Sequence, residues 1–150
     1  MKNYWLMKSE PNELSIYDLE KINTVEWFGI RNYQARNFMI KEMQIGDLGF
    51  FWHSSCKNPG IYGIIEICSK SHPDSTQFIV DHKYYEPKSS PEKPLWLCVD
   101  VKFKSISNYI SIKQLRKIPE LSEMQVLKKG NRLSITKVSS SEWQIINNLI

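Results

Sequence analysis

No apolar run in this chain approaches the ~20 residues that a membrane-spanning helix needs. Its first residues, MKNYWLMKSEP, show no apolar segment followed by a small-residue cleavage site, so no secretion and no membrane partner are expected. Cysteine is sparse: the three present (Cys56, Cys68, Cys98) are an odd number, without C-x-x-C spacing or a His at metal-ligand intervals. That pattern argues against both a disulfide framework and a zinc site. A reducing compartment is the expectation, cytoplasmic, or nuclear in a eukaryotic host. The glycines form no phosphate-cradling loop, and G-x-S-x-G, H-E-x-x-H and D-x-D patterns are all missing. The nearest nucleophile grouping is His53-Ser54-Ser55-Cys56-Lys57, whose members adjoin in sequence, whereas catalytic partners usually come from distant segments. No catalytic residue, metal or cofactor is expected.

What is present suits one globular domain over residues 1–150. The chain is 41% hydrophobic and 24% charged, and at 150 residues it can bury its own core. Cys68 in IIEICSK and Cys98 in LWLCVDV are expected as small core residues. Charge is uneven: residues 1–100 carry 11 basic and 13 acidic side chains, residues 101–150 carry 9 and 3. A basic face beside a near-neutral body suits an anionic polymer, and a solvated lysine face has the same composition.

β-Branched and aromatic runs predict strands at 4–8, 47–54, 61–68, 95–103 and 132–138. Helix starts are marked by capping chemistry: Ser15-x-x-Asp18, Ser111-x-x-Gln114 and Ser139-x-x-Glu142 each place a hydroxyl three residues before an acid or amide. A fourth helix is predicted from about Asn32 to Met43, ending before Gly46-Asp47. Pro59-Gly60 should turn one strand back on the next. Residues 71–94, with four of the seven prolines, read as a long excursion of the functional kind. Without regular βαβ alternation, a mixed sheet curled into a small barrel is expected.

The segment EWFGIRNYQARNF, residues 26–38, is unlike an ordinary amphipathic helix. Its rings (Trp27, Phe28, Tyr33, Phe38) offer stacking faces, its amides (Asn32, Gln34, Asn37) offer donor and acceptor together, and Arg31 and Arg36 could meet phosphates. The plainer alternative makes Asn32 an N-cap, Phe38 core and Arg36 a salt-bridge partner. Lys128, Lys129 and Arg132, in KKGNR, are further phosphate candidates or simply a solvated turn.

Taken in order, the blocks YWLMKSEPNELSI, WFGIRNYQARNFM, IGDLGFFWHSSCKNPGIYGIIEI, YYEPKSSPEKPLWLCVDVKF and KKGNRLSITKVSSSEW resemble the EVE domain, in its thymocyte nuclear protein type. EVE domains belong to the PUA-like superfamily and are related to the YTH readers of methylated adenine. The resemblance covers nearly the whole chain, with mild departures at Asn12 and Asn131. It implies an α+β fold: a mixed curved sheet or small barrel of five to six strands, flanked by short helices. It also implies a pocket for one flipped-out modified base of DNA or RNA; separately from the resemblance, a monomer is expected. Trp27 is then one stacking wall, and Tyr84 and Tyr85 are candidates for the other. Ser9, Glu10, Asn32, Ser54, Ser55 and Lys57 fall at the pocket, with Arg31, Arg36, Lys128, Lys129 and Arg132 at phosphates. Trp5, Trp52 and Trp143 are expected in packing. Two alternatives stand beside this reading. One is an ASCH-like hydrolase of a modified nucleoside using Lys8, Glu10 and Tyr33; the other is a general PUA-type RNA-binding domain.

Overall fold

A six-stranded sheet, curved into a half-barrel, organises the computed structural model, which describes residues 2–150. Its strands are β1 (Tyr4–Ser9), β2 (Thr24–Glu26), β3 (Leu48–His53), β4 (Gly60–Ile67), β7 (Asp100–Ser111) and β8 (Ile135–Val138), in the order β2-β7-β4-β3-β1-β8. The β1–β3 pair is parallel and the other pairs are antiparallel, so the sheet is mixed. Two short strands, β5 (His72–Pro73) and β6 (Leu97–Cys98), pair separately at the two ends of the excursion. Register shifts between Phe51 and Trp52 and along β4–β7 are the bulges that bend the sheet.

Four helices flank it: α1 (Ile16–Ile22), α2 (Tyr33–Lys41), α3 (Ile112–Arg116) and α4 (Ser140–Asn147). All three predicted capping boxes form: the side chains of Ser15, Ser111 and Ser139 accept from backbone N–H groups three residues on, and their own backbone N–H groups donate back to the side chains of Asp18, Gln114 and Glu142. Among the described residues no helix is long and apolar enough to cross a membrane.

Both faces of the sheet are covered, which is why alternation in the strands is only partial. Trp5 and Met7 of β1 and Phe51 of β3 enter one cluster with α1 and α2; Leu6, Phe50 and Trp52 enter the other with α4. Trp5, Trp52 and Trp143 are all packed in these clusters, and Cys98 is buried. His53 ends β3 inside the first layer: its Nε2 accepts from the Ile16 N–H at 3.1 Å, and burial pushes its pKa down to about 4.

The expected strand at 95–103 is broken in two. Residues 97–98 join β5, and β7 runs on to Ser111, well past the predicted end. β2 pairs with β7 only at Asp100–Lys102, so the rest of that strand has one free edge. Its polar sequence there (Lys104, Ser105, Ser107, Asn108) suits such an edge and hides the strand from a hydrophobic pattern.

The excursion is ordered by polar contacts. Gln77, fully buried, donates to the carbonyls of Asp74 (2.9 Å) and Trp96 (2.6 Å) and accepts from Trp96 N–H (3.0 Å) and Ser89 Oγ (2.7 Å). Arg36 donates to the Leu95 carbonyl at 2.8 Å and lies over the rings of Tyr33 and Trp96. It therefore clasps α2 to the end of the excursion.

Candidate functional site

A cavity of about 520 Å³ opens where five segments meet: the end of β1, the 27–32 segment between β2 and α2, the loop after β3, the excursion at Tyr84, and residues 131–134 before β8. Backbone hydrogen bonds hold these walls, from Trp27 N–H to the Val99 carbonyl (2.8 Å), Ser54 N–H to Ser9 (2.9 Å) and Lys8 N–H to Ser134 (2.8 Å).

Trp27 is 3% exposed and meets Phe51 edge to face, with centroids 5.5 Å apart. It thus belongs to the core and to the cavity wall at once. Its indole N–H has no hydrogen-bond partner among the described residues. Among the described residues no side-chain polar atom sealed from solvent lacks a partner, so this N–H keeps some access to solvent, as do those of Trp52 and Trp143 away from the cavity.

Facing the 27–31 segment, Tyr84 donates its hydroxyl to Glu13 (2.7 Å and 2.9 Å to the two oxygens). Burial, reinforced by that bond, raises the phenol's pKa. Glu13 also takes Lys83 at 2.5 Å; burial opposes its ionisation, but the Lys83 and Tyr84 bonds prevail and lower its pKa. The Tyr84 ring lies so close to Gly29 that a Cβ there would fall 2.6 Å from it, and Gly29 has φ +84°, so the position suits only glycine.

Asp74, 1% exposed, is the hub of this wall. It accepts from Gly29 N–H (2.8 Å), Arg31 Nη1 (3.1 Å), Thr76 N–H (2.8 Å) and Thr76 Oγ1 (2.6 Å). Burial opposes its charge, yet these donors hold its carboxyl below the usual range. Arg31 also reaches Thr76 Oγ1 and the carbonyls of Ile30 and Tyr84. Its guanidinium is committed to protein acceptors, like that of Arg36. Both arginines expected at phosphates act here as internal clamps, because buried carbonyls and Asp74 need charged donors.

Of the other sequence candidates, Ser9, Glu10, Asn32, Ser54, Ser55 and Arg132 line the cavity. Lys57 and Tyr85 are exposed outside the lining, as are Lys128, which approaches Glu123 at 3.7 Å, and Lys129. Of the three residues suggested for a hydrolase, Lys8 and Glu10 line the cavity. Tyr33 instead stacks on Trp96 at 5.0 Å, on the far side of the α2 start. Lys8 is half-buried, has no carboxylate within ion-pair distance among the described residues, and burial lowers its pKa. Asn131, Ser134 and Asp74 were missed in the sequence. Only Asp74-Ser75-Thr76 carried a signal, as a short capping motif.

Away from the cavity, Glu26, His72 and Cys98 bring three donor atoms within 4.8 Å of one another. His72 there lies 2.7 Å from Asp100 and 3.8 Å from Glu26. Burial opposes protonation of the ring, but the hydrogen bonds and charges of its neighbours, the Asp100 bond first, outweigh it and raise the pKa, making Glu26, His72 and Asp100 an ion-paired strut between β2, β5 and β7.

The EVE domain family model matches residues 3–149. The chain belongs to the EVE domain family. Human thymocyte nuclear protein 1 is 35% identical over 168 residues, an alignment covering 99% of this chain and 74% of that protein. Among solved structures, a Pseudomonas syringae protein superposes with a TM-score of 0.93 at 42% identity, covering 97% of this chain and 98% of the other. Human THYN1 in complex with DNA containing 5-methylcytosine superposes with a TM-score of 0.91 at 36% identity, over 99% of this chain and 97% of that one. The YTH domain of Zygosaccharomyces rouxii MRB1, in complex with N6-methyladenosine RNA, gives a TM-score of 0.58 at 14% identity, over 99% and 86% of the two chains. At that identity it shares the fold alone.

Proposed function

We propose that this EVE domain binds nucleic acid by admitting one modified nucleobase, everted from its stack, into the cavity beside Trp27. The observation that carries the proposal is the Trp27 indole: almost wholly buried, yet bordering a cavity of about 520 Å³. The volume lies within the range of ordinary ligand sites. The likeness to THYN1, a protein solved with 5-methylcytosine DNA, supports the same reading.

In this mechanism Trp27 supplies an aromatic wall, worth roughly 1–3 kcal/mol per stacked base. Tyr84, fixed by Glu13, closes the opposite side. Asn32, Ser54 and Ser55 lie within reach of the base's polar edge, and Arg132, with Lys129 in the same turn, meets the flanking phosphates. The step is binding only, and eversion costs a few kcal/mol in a duplex and less in a single strand.

Fluorescence anisotropy with matched oligonucleotides, modified and plain, tests it. Wild type should favour at least one modified base by about tenfold or more, and Trp27→Phe, which keeps the apolar packing, should lose most of that preference. Equal affinity for modified and plain strands, unchanged in Trp27→Phe, would leave only a general nucleic-acid-binding domain.

A further inference from the structure

Glu26, His72, Cys98 and Asp100 are scattered through the sequence, and strand register gathers them. Cys98 and Asp100 are two positions apart where β6 leads into β7, and alternate side chains of an extended stretch share a side. Each then faces a cross-strand partner: His72 lies opposite Cys98 in the β5–β6 pair, and Glu26 opposite Asp100 in the β2–β7 pair. No short spacing of ligand types records this arrangement, so a zinc site of this kind leaves no motif in the sequence.

The gathered atoms are metal ligands. One donor atom each from Glu26, His72 and Cys98 lies within 4.8 Å of the other two. Around a tetrahedral zinc ion the same atom types stand roughly 3.3–3.5 Å apart, a contraction that side-chain rotation can supply. Their orientation is already supported. His72 Nε2 lies 2.7 Å from Asp100 Oδ1, while Nδ1 is turned toward Glu26 Oε1 at 3.8 Å. A carboxylate on the far ring nitrogen is the usual support of a metal-bound imidazole. Glu26 is held in turn by Ser75, whose Oγ donates to Oε2 at 2.5 Å and whose N–H donates to Oε1 at 3.3 Å. Buried Cys98 forms the floor, and the side chains of Glu26, His72 and Asp100 are each about a third exposed, which leaves an ion a way in.

We propose that Glu26, His72 and Cys98 bind a zinc ion through carboxylate, imidazole and thiolate, with Asp100 orienting the imidazole. A thiolate disfavours calcium and magnesium, and the mixed oxygen, nitrogen and sulfur set suits zinc. Binding releases the Cys98 thiol proton and the His72 Nδ1 proton, which in the metal-free protein is donated to the Pro73 carbonyl at 3.0 Å. Water takes the fourth position on the exposed side. The ion pins β2, which leads into Trp27, to both ends of the excursion. This site stands whether or not the cavity admits a base.

Tag-free protein, stripped with a chelator and kept reduced, is titrated with Zn²⁺ against a chelating indicator, and separately with Co²⁺. A single Zn²⁺ should bind, and Co²⁺ should give the near-ultraviolet absorption of a thiolate ligand. With free Zn²⁺ about a hundredfold above its dissociation constant, the melting temperature should rise by roughly 5–10 °C. Cys98→Ala should abolish the cobalt–thiolate absorption. Glu26→Gln, at a half-buried position that tolerates the change, should weaken Zn²⁺ binding by about tenfold or more. The double variant Cys56→Ser with Cys68→Ser should bind as wild type does. Circular dichroism confirms that each variant is folded, and Glu26→Gln decides the matter should Cys98→Ala fail to fold. If wild type takes up no stoichiometric Zn²⁺, if Glu26→Gln binds it as tightly as wild type, or if the thiolate absorption follows Cys56 or Cys68, the proposal falls.

Discussion

The two faces of the sheet are built from similar residues and end differently. On one face Trp143 of α4 is sandwiched between Tyr4 and Phe50, with centroids 4.6 Å and 4.0 Å away, and apolar side chains close the layer. On the other, Trp27 touches Phe51 with its edge and meets a cavity beyond. The helix-covered face is sealed by side chains of an amphipathic helix that fill space wherever the helix docks. The cavity face is walled by irregular segments, held at a distance by Asp74, Arg31, Glu13 and Tyr84. Polar struts fix a separation instead of collapsing it, because each hydrogen bond has a preferred length and direction. The difference sets the proposed binding site apart from the rest of the core: there the frame is polar and the wall is aromatic.

Breaking the sealed face should have the largest effect. Trp143→Ala removes a stacked indole that is 5% exposed and should cost about 3–5 kcal/mol of stability, read from urea unfolding. Base selectivity of the molecules that remain folded should be unchanged. Next comes the strut: Asp74→Asn leaves Arg31 without its charged partner and should lower stability by about 3 kcal/mol. It should also weaken selective binding, because the 27–31 segment loses its anchor; a variant that loses stability but keeps full selectivity would remove Asp74 from the account of the site.

A pH series sharpens the comparison inside the core. His53 is buried neutral, with a pKa of about 4 against 6.5 for the free side chain. Below pH 6.5 the unfolded chain binds a proton that the folded chain refuses, so stability falls with falling pH, by about 1.4 kcal/mol per pH unit at most, until about pH 4. His72 has the opposite sign. Its raised pKa means it is charged in both states below 6.5, and its contribution is lost only as pH rises above that value. Urea titrations from pH 6.5 to 5 should therefore report His53, and His53→Gln should flatten the slope.

The smallest effect is expected at the basic turn. Lys129→Ala removes one charge that touches nothing else described. It should reduce the slope of log affinity against log salt by at most about one, without changing the ratio of modified to plain binding. A change in that ratio would bring Lys129 into the site itself.

Local chemistry made much of this fold readable. Three capping boxes marked the starts of α1, α3 and α4 to within a residue, because a cap is written in two side chains three positions apart. The expected reversal between β3 and β4 is there, but it spans residues 54–59: Pro59 ends the loop and Gly60 already opens β4, paired with His53. The second half of β7 was hidden because a strand with one free edge carries no apolar pattern. β2 was hidden because three residues have no period. At the cavity, Trp27, Ser9, Glu10 and Asn32 were named from the sequence and are found together. Asn131 and Ser134 were not, since small polar residues in a turn look alike whether they face a ligand or water.

Residue order alone settled the family, the caps and the aromatic and basic character of the chain, all of which follow from side chains within a few positions of one another. The direction in which each polar group is used was decided by the fold. Arg31 and Arg36 became clamps, Asn32 and Asn131 spent their side-chain oxygens on backbone N–H groups, and the indoles of Trp5 and Trp96 found carboxylates. Hydrogen-bond partners lie as far apart as residues 31 and 84 or 13 and 84, and only the closed chain brings them within reach.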